Sequence, residues 1–298
     1  MKINKNEFEL LLMSINSCYA KDVVGHLPKL EDFPKEIFQK TEVDLNLLLN
    51  IITNYSDFYV KSVTLRIIAI HELRNVRELK AKVDLKRIWK FILESILIIP
   101  TSATISSIGS QGFLSIPLFK DDRKKESFDF IRLHIWDNSL NEFINSEKCE
   151  NFSIHTHTFY AKSWVLCGKV INDRFTINIV EKPTNHSLFT VGYNKSLNEV
   201  NQHTSKANNT STFVNLNQVS HEIYSQGGTY TIDAGDFHKS GSKGRNGLSA
   251  TLFSFTAKEG LVEQSYVVGP SKLTTSEINR KMLIDPIQLL KKIDKKFK

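Results

Sequence analysis

Residues 152–170 read FSIHTHTFYAKSWVLCGKV, and the architecture depends on how this stretch is taken. Apolar and small polar residues interleave around two histidines, and β-branched and aromatic residues fill the rest. That texture belongs to short strands, not to a helix. It recurs in GFLSIPLF (112–119), FDFIRLHIW (128–136), RFTINIVE (174–181), SLFTVGY (187–193), GTYTIDA (228–234), LSATLFSFTA (248–257) and LVEQSYVVG (261–269). Turn residues separate the runs and no long helix lies between them. An antiparallel sandwich or barrel follows, and a βαβ sheet is excluded. The polar stretch Asn194–Gln218 holds few large apolar residues and reads as an inserted loop.

Before residue 100 the period is helical. Leu45, Leu48, Leu49 and Ile52 share one face, as do Leu85, Ile88, Trp89, Ile92 and Leu93. Thr41, with Asp44 three residues on, reads as one helix N-cap and Asp84 as the next, with Pro100 closing the second helix. Residues 276–298, SEINRKMLIDPIQLLKKIDKKFK, return to helical spacing. The expected organisation is α+β: a helical domain over 1–105, a β-barrel domain over 106–272 and a basic C-terminal helix over 273–298.

Composition sets the class. With 41% hydrophobic and 24% charged residues, the 298-residue chain is neither disordered, collagen-like nor a disulfide scaffold. Cys18, Cys149 and Cys167 form no CxxC pair, which points to a reducing compartment and away from a zinc knuckle. Glu7 and Glu9 interrupt the N-terminal apolar stretch, a poor secretory signal, and no window has the ~18 apolar residues of a membrane span. The expectation is a cytoplasmic protein with no membrane partner. A net charge of +7, partly gathered in KKIDKKFK (291–298), permits weak contact with nucleic acid without specifying it.

The chemistry centres on His155 and His157. In a strand they project to one side, about 6–7 Å apart, and can take adjacent positions on one transition-metal ion. Downstream, Gly227-Gly228-Thr-Tyr-Thr-Ile-Asp-Ala-Gly235-Asp236-Phe237-His238 frames a strand with two glycine turns and ends in a histidine.

Here the chain resembles the cupin superfamily, a double-stranded β-helix or jelly-roll barrel, over about residues 110–270. His155, His157 and Gly168 match its first motif, and Gly227, Gly235 and His238 its second. Ala161 stands where the family carries a metal-binding glutamate, Cys149 replaces a glycine, Asp233 a proline and Ser242 an asparagine. A ligand set of His155, His157 and His238 without a carboxylate is similar to the three-histidine, thiol-dioxygenase-like branch. That resemblance implies Fe(II), with Zn, Mn or Ni as alternatives, and a non-heme dioxygenase acting on a small thiol or anionic molecule. Three neutral ligands leave the ion's charge undiminished, which favours an anionic sulfur ligand. The alternative is a non-catalytic cupin that senses a small ligand or metal, coupled to a helical interaction domain. Pairing through edge strands into a homodimer is a further implication of the resemblance.

Around this core, Arg132, His134 and Trp136 share one face of FDFIRLHIW. Either that face enters the barrel, where Arg132 and His134 meet substrate, or Ile131, Leu133 and Ile135 form the core and Arg132 is solvated. Tyr160 and Tyr230 are candidate catalytic phenols near the metal, or ordinary strand aromatics. His221 is the alternative to His238 as third ligand, and His203 falls in the inserted loop. GSKGRNG (241–247) lacks the order of a phosphate loop and reads as a basic hairpin.

Overall fold

The change of period near residue 100 is also a change of structure. A computed structural model describes residues 1–20, 22–79, 82–109, 111–193, 204–243, 247–279, 281–282 and 284–297. They divide into two compact units, one of residues 1–105, 117–121 and 285–298, the other of residues 106–116 and 122–284.

The first unit opens with β1 (Lys2–Asn4) and α1 (Lys5–Asn16), then β2 (Phe38–Gln39), β3 (Glu42–Asp44), α2 (Leu45–Ile52), α3 (Phe58–Leu79) and α4 (Leu85–Leu97). The three strands form a small sheet in the order β1, β3, β2. Because Glu42–Asp44 is a strand, α2 starts later than Thr41 suggests. Asp44 is its cap, with Oδ1 accepting from the backbone N–H of Asn46 and Leu47 at 3.0 and 3.1 Å. Asp84 does cap α4, accepting from Arg87 N–H at 3.0 Å. Val60, Val63, Ile67, Ile68 and Ile70 are buried round most of α3, the mark of a central helix. Arg66 is buried among them, its Nε donating to Ser95 Oγ at 3.3 Å and its guanidinium 4.5 Å from the Tyr19 ring.

The strands that follow are β4 (Ser107–Ile108), β5 (Leu114–Asp121) and β6 (Asp129–Trp136), then a short helix, α5 (Ser146–Asn151). Next come β7 (Phe159–Cys167), β8 (Lys169–Val180), β9 (His186–Tyr193), β10 (Thr204–Ser225), β11 (Thr229–Ile232) and β12 (Phe237–Ser242). The last are β13 (Ser249–Leu261), β14 (Tyr266–Pro270), β15 (Thr275–Asn279) and β16 (Lys281–Met282). One sheet runs β11, β7, β13, β6, β5, β4, β16; the other runs β12, β8, β10, β9, β14, with β15 beside β10. Val170 of β8 packs against Trp136, Ala161 and Phe253 of the first sheet, so the sheets face one another. The architecture is α+β, with two mainly antiparallel sheets packed as a β-sandwich. Gly168 makes the β7–β8 turn at φ +75°, and a Cβ there would lie 2.2 Å from Leu248 O.

Four expectations are corrected. The supposed loop Asn194–Gln218 is strand from Thr204 onward, and only 194–203, with His203, lies outside the described residues. Its polar side chains face out while Ala207 and Val214 turn inward, so composition hid the alternation. Asn172-Asp173 is not a turn but the middle of the continuous strand β8. FSIHTHTF enters a regular ladder only at Phe159. Residues 275–279 and 281–282 are strand, and helix returns only after Pro286, as α6 (Ile287–Asp294), which buries Leu290 and Ile293. The indole of Trp89 on α4 stacks on Phe297 at 6.0 Å. Of the basic hairpin 241–247, residues 244–246 lie outside the described residues. No helix among the described residues is long and apolar enough to cross a membrane, and none of the three cysteines is in a disulfide.

Candidate metal centre

The segment around His155 is extended without belonging to a named strand. Its backbone is pinned on both sides, to the two edge strands of the second sheet. His155 N–H donates to His238 O and His238 N–H to His155 O, each at 2.9 Å, on the β12 side. Thr156 N–H donates to Tyr266 O, and Val268 N–H to Ile154 O, each at 2.8 Å, on the β14 side. Gly235 N–H fixes His157 O at 3.0 Å. His155 thus meets His238 through direct backbone pairing, and Gly235, three residues before His238, holds His157 beside them, although His157 and His238 are 81 positions apart in the chain.

The imidazoles converge. His155 Nε2 lies 3.0 Å from His157 Nε2, and His238 Nε2 lies 3.3 Å from His157 Nε2. One nitrogen from each ring lies within 4.8 Å of the other two. Such spacing suits three nitrogens facing one ion at ~2.0–2.1 Å.

The far sides of two rings are tied off. His155 Nδ1 donates to Ser153 O at 2.9 Å. His238 Nδ1 lies 3.0 Å from Asn172 Oδ1 and 3.2 Å from Ser240 Oγ. Asn172 Nδ2 in turn donates to Glu222 Oε2 at 3.0 Å. A carboxylate only accepts, so the amide nitrogen must face Glu222 and the amide oxygen must face His238. The proton of His238 therefore sits on Nδ1, and the Nε2 lone pair faces the cluster. His157 Nδ1 is buried and has no hydrogen-bond partner among the described residues.

Glu222 also accepts from Arg174 Nε at 2.9 Å and Tyr224 Oη at 3.0 Å. Burial alone would raise its carboxyl, but the hydrogen bonds from Asn172, Arg174 and Tyr224 outweigh it and hold the group below the usual carboxylate range. The histidines go the same way for a different reason. Burial pushes His157 and His238 well below the ordinary imidazole value, and the crowding of the other imidazoles, which resists placing a second positive charge among them, adds to this with Arg132 and Arg174. Burial lowers His155 as well, opposed by its bond to Ser153 O. All three are kept neutral, the form in which imidazole binds a metal.

Beside the cluster lies a cavity of about 220 Å³ between the two sheets. Phe130, Arg132, His134 and Trp136 all line it, while Ile131, Leu133 and Ile135 are buried on the opposite face of β6. Both faces of this strand are covered, which the choice between a core face and a solvated face did not foresee. The Arg132 guanidinium lies 4.0 Å from the Phe130 ring. His134 is held between Phe113 and Phe253, at centroid distances of 4.1 and 5.0 Å, and burial, then the Arg132 charge, pushes it well below its ordinary value. Tyr230 lines the cavity and stacks on Tyr224 at 4.9 Å; burial raises its phenol. Tyr160 is not among the cavity-lining residues, and its phenol, raised by burial and then by Glu259, lies beside Thr231. His221 sits away from the cluster, half exposed, with Nδ1 2.5 Å from Asp173 Oδ1.

Asn172 and Glu222 escaped the sequence reading. Asparagine in IND reads as a turn residue and glutamate in a polar run as solvated. Only the register Glu222 opposite Asn172, and Ser240 opposite Asn172, brings them to His238.

No protein-family model matches the chain, and no curated protein matches it. Among solved structures, procruciferin, an 11S globulin from Brassica napus, is 10% identical with a TM-score of 0.28, covering 53% of this chain and 32% of that one. The 11S globulin from Wrightia tinctoria is 10% identical with a TM-score of 0.28, over 54% and 34%. Hydroxypropylphosphonic acid epoxidase from S. wedmorenis is 12% identical with a TM-score of 0.27, over 71% and 95%. The chain spans about a third of the length of the two globulins. Likenesses at these TM-scores carry no weight for function, which rests on the geometry of the three histidines.

Proposed function

We propose that the chain is a metal-binding cupin-like protein in which His155, His157 and His238 hold one divalent transition-metal ion. Ferrous iron is the first candidate, with zinc, manganese and nickel as alternatives, and the protein is non-heme dioxygenase-like, acting on a small thiol or other anionic molecule. The observation that carries the reading is the convergence of three Nε2 atoms, two of them on rings whose Nδ1 is tied off by Ser153 and Asn172. Buried lone pairs gathered this closely repel one another unless a proton or cation lies between them. Bound iron would supply the redox chemistry with dioxygen that no side chain here can. The remaining residues bind and orient. Arg132 provides a fixed positive charge in the cavity wall, His134 a neutral imidazole and Tyr230 a buried phenol.

The test is metal analysis of protein purified without a histidine tag, followed by dioxygen uptake with mercapto acids and other small anionic molecules. One metal per chain is expected in the wild type and none in the His155→Ala/His157→Ala variant, with the fold retained because ligands and not core are removed. Undiminished metal in that variant would sink the assignment. Iron-loaded protein that consumes no dioxygen would instead favour a non-catalytic sensor.

A further inference from the structure

The cavity beside the three histidines has a wall of unusual make-up. Nine of its lining residues are Phe, Tyr or Trp. Arg132 is its one lysine or arginine, and no Asp or Glu lines it among the described residues. Among the buried polar atoms of the wall without a hydrogen-bond partner in those residues are His134 Nε2 and Trp136 Nε1, on residues 5% and 8% exposed. A buried indole N–H can only donate, so it calls for an acceptor that the described residues do not supply.

We propose that the occupant of this cavity is a single-ring aromatic carboxylate or an equivalent aryl anion, and that amines and zwitterionic amino acids are rejected. The inference rests on reading the cavity as the ligand site of the proposed metal centre and narrows its substrate class. The anionic end meets Arg132, whose planar fork matches a carboxylate and cannot be deprotonated. The ring lies among Phe113, Phe130, Phe253 and Phe255. Phe253 and Phe255 are inclined to each other at 64° with centroids 4.8 Å apart, leaving edges and faces for a further ring. A cavity of about 220 Å³ is smaller than the ~300–1,000 Å³ of drug-sized sites, which limits the body to one ring. An ammonium group fares badly here. It would lose its water beside the Arg132 charge, with no carboxylate in the described wall to receive it.

The test is calorimetric titration of the full-length, metal-free protein with benzoate, benzamide, cyclohexanecarboxylate, benzylamine and L-cysteine. Benzoate is expected to bind tightest. Benzamide should be weaker by about tenfold or more, since it keeps the ring and loses the charge-assisted bond. Benzylamine and L-cysteine should give no binding heat. In Arg132→Gln, benzoate should fall to the level of benzamide; should that variant not fold, the wild-type ranking decides. Binding of benzylamine or L-cysteine as tight as benzoate, parity of cyclohexanecarboxylate with benzoate, or no benzoate binding overturns the proposal. Metal stoichiometry of the same preparation, measured before the metal is removed, separates the two claims. Metal without benzoate binding removes the ligand class alone, and benzoate binding without metal removes the metal reading alone.

Discussion

Asn172 Oδ1 stands 3.0 Å from His238 Nδ1, and the orientation of that amide is dictated by Glu222 on its other side. A carboxylate that never touches the cluster thereby sets which nitrogen of His238 is free. Outer partners of metal-bound histidines are worth about 10–100-fold in metal affinity. Asn172→Leu, which cannot accept a proton from His238, should lose affinity by that factor in a competitive metal titration while remaining folded by circular dichroism. Wild-type affinity in the folded variant would mean the amide orients nothing.

Glu222→Gln tests the same relationship differently. An amide at 222 can offer either its oxygen or its nitrogen to Asn172, so Asn172 is free to turn over and the tautomer of His238 is no longer fixed. Nitrogen NMR of the metal-free protein should show His238 mainly as the Nδ1–H form in the wild type and as a mixture in the variant. An unchanged single tautomer would show that Ser240 Oγ, at 3.2 Å, suffices.

Glu222 also predicts a pH dependence. Its folded carboxyl titrates below the unfolded value of ~4.3, because its hydrogen bonds outweigh its burial. A depressed folded value means the contribution to stability is complete above the unfolded value and is lost as pH falls through the folded one. The difference in urea midpoint between wild type and Glu222→Gln should be constant from about pH 7 to 5.5 and shrink below about pH 4. A difference that grows on acidification would reverse the sign and remove the argument.

The sandwich and the histidine cluster were legible in sequence because both rest on local pattern. Period-two alternation gave β6, β7 and β13, and glycine before His238 marked the turn that delivers it. What stayed hidden depends on pairing across strands. β10 is 22 residues of mostly polar side chain, with one row facing solvent and Ala207 and Val214 turned in, so its composition imitates a loop. Asn172 imitates a turn residue because its polar group serves His238 and Glu222 instead of its own backbone. Thr41 lost the cap of α2 to Asp44 because β3 claims the residues between them.

Gly168 is a position where backbone conformation alone should be decisive. Its φ of +75° is costly for any residue with a Cβ, and that Cβ would fall 2.2 Å from Leu248 O, a backbone atom with little room to retreat. Gly168→Ala should destabilise by about 1–3 kcal/mol or more in urea unfolding. A loss under about 0.5 kcal/mol would mean the turn relaxes freely, contrary to the close approach seen here.

Arg66 gives the opposite expectation. It is 1% exposed inside α3, and among the described residues no carboxylate pairs with it. Its contacts are Ser95 Oγ at 3.3 Å and the Tyr19 ring at 4.5 Å, and Nη2 is buried without a partner. Desolvating a guanidinium costs several kcal/mol, and neither contact supplies an opposing charge. Methionine keeps most of the side-chain length, fills the space against Tyr19 and leaves Ser95 Oγ its own bond to Ile92 O at 2.7 Å. Arg66→Met should therefore be neutral or stabilising, by up to about 1–4 kcal/mol, measured as a higher urea midpoint at unchanged slope. A loss of about 2 kcal/mol or more would show that the cation–ring contact with Tyr19 outweighs the desolvation of the charge.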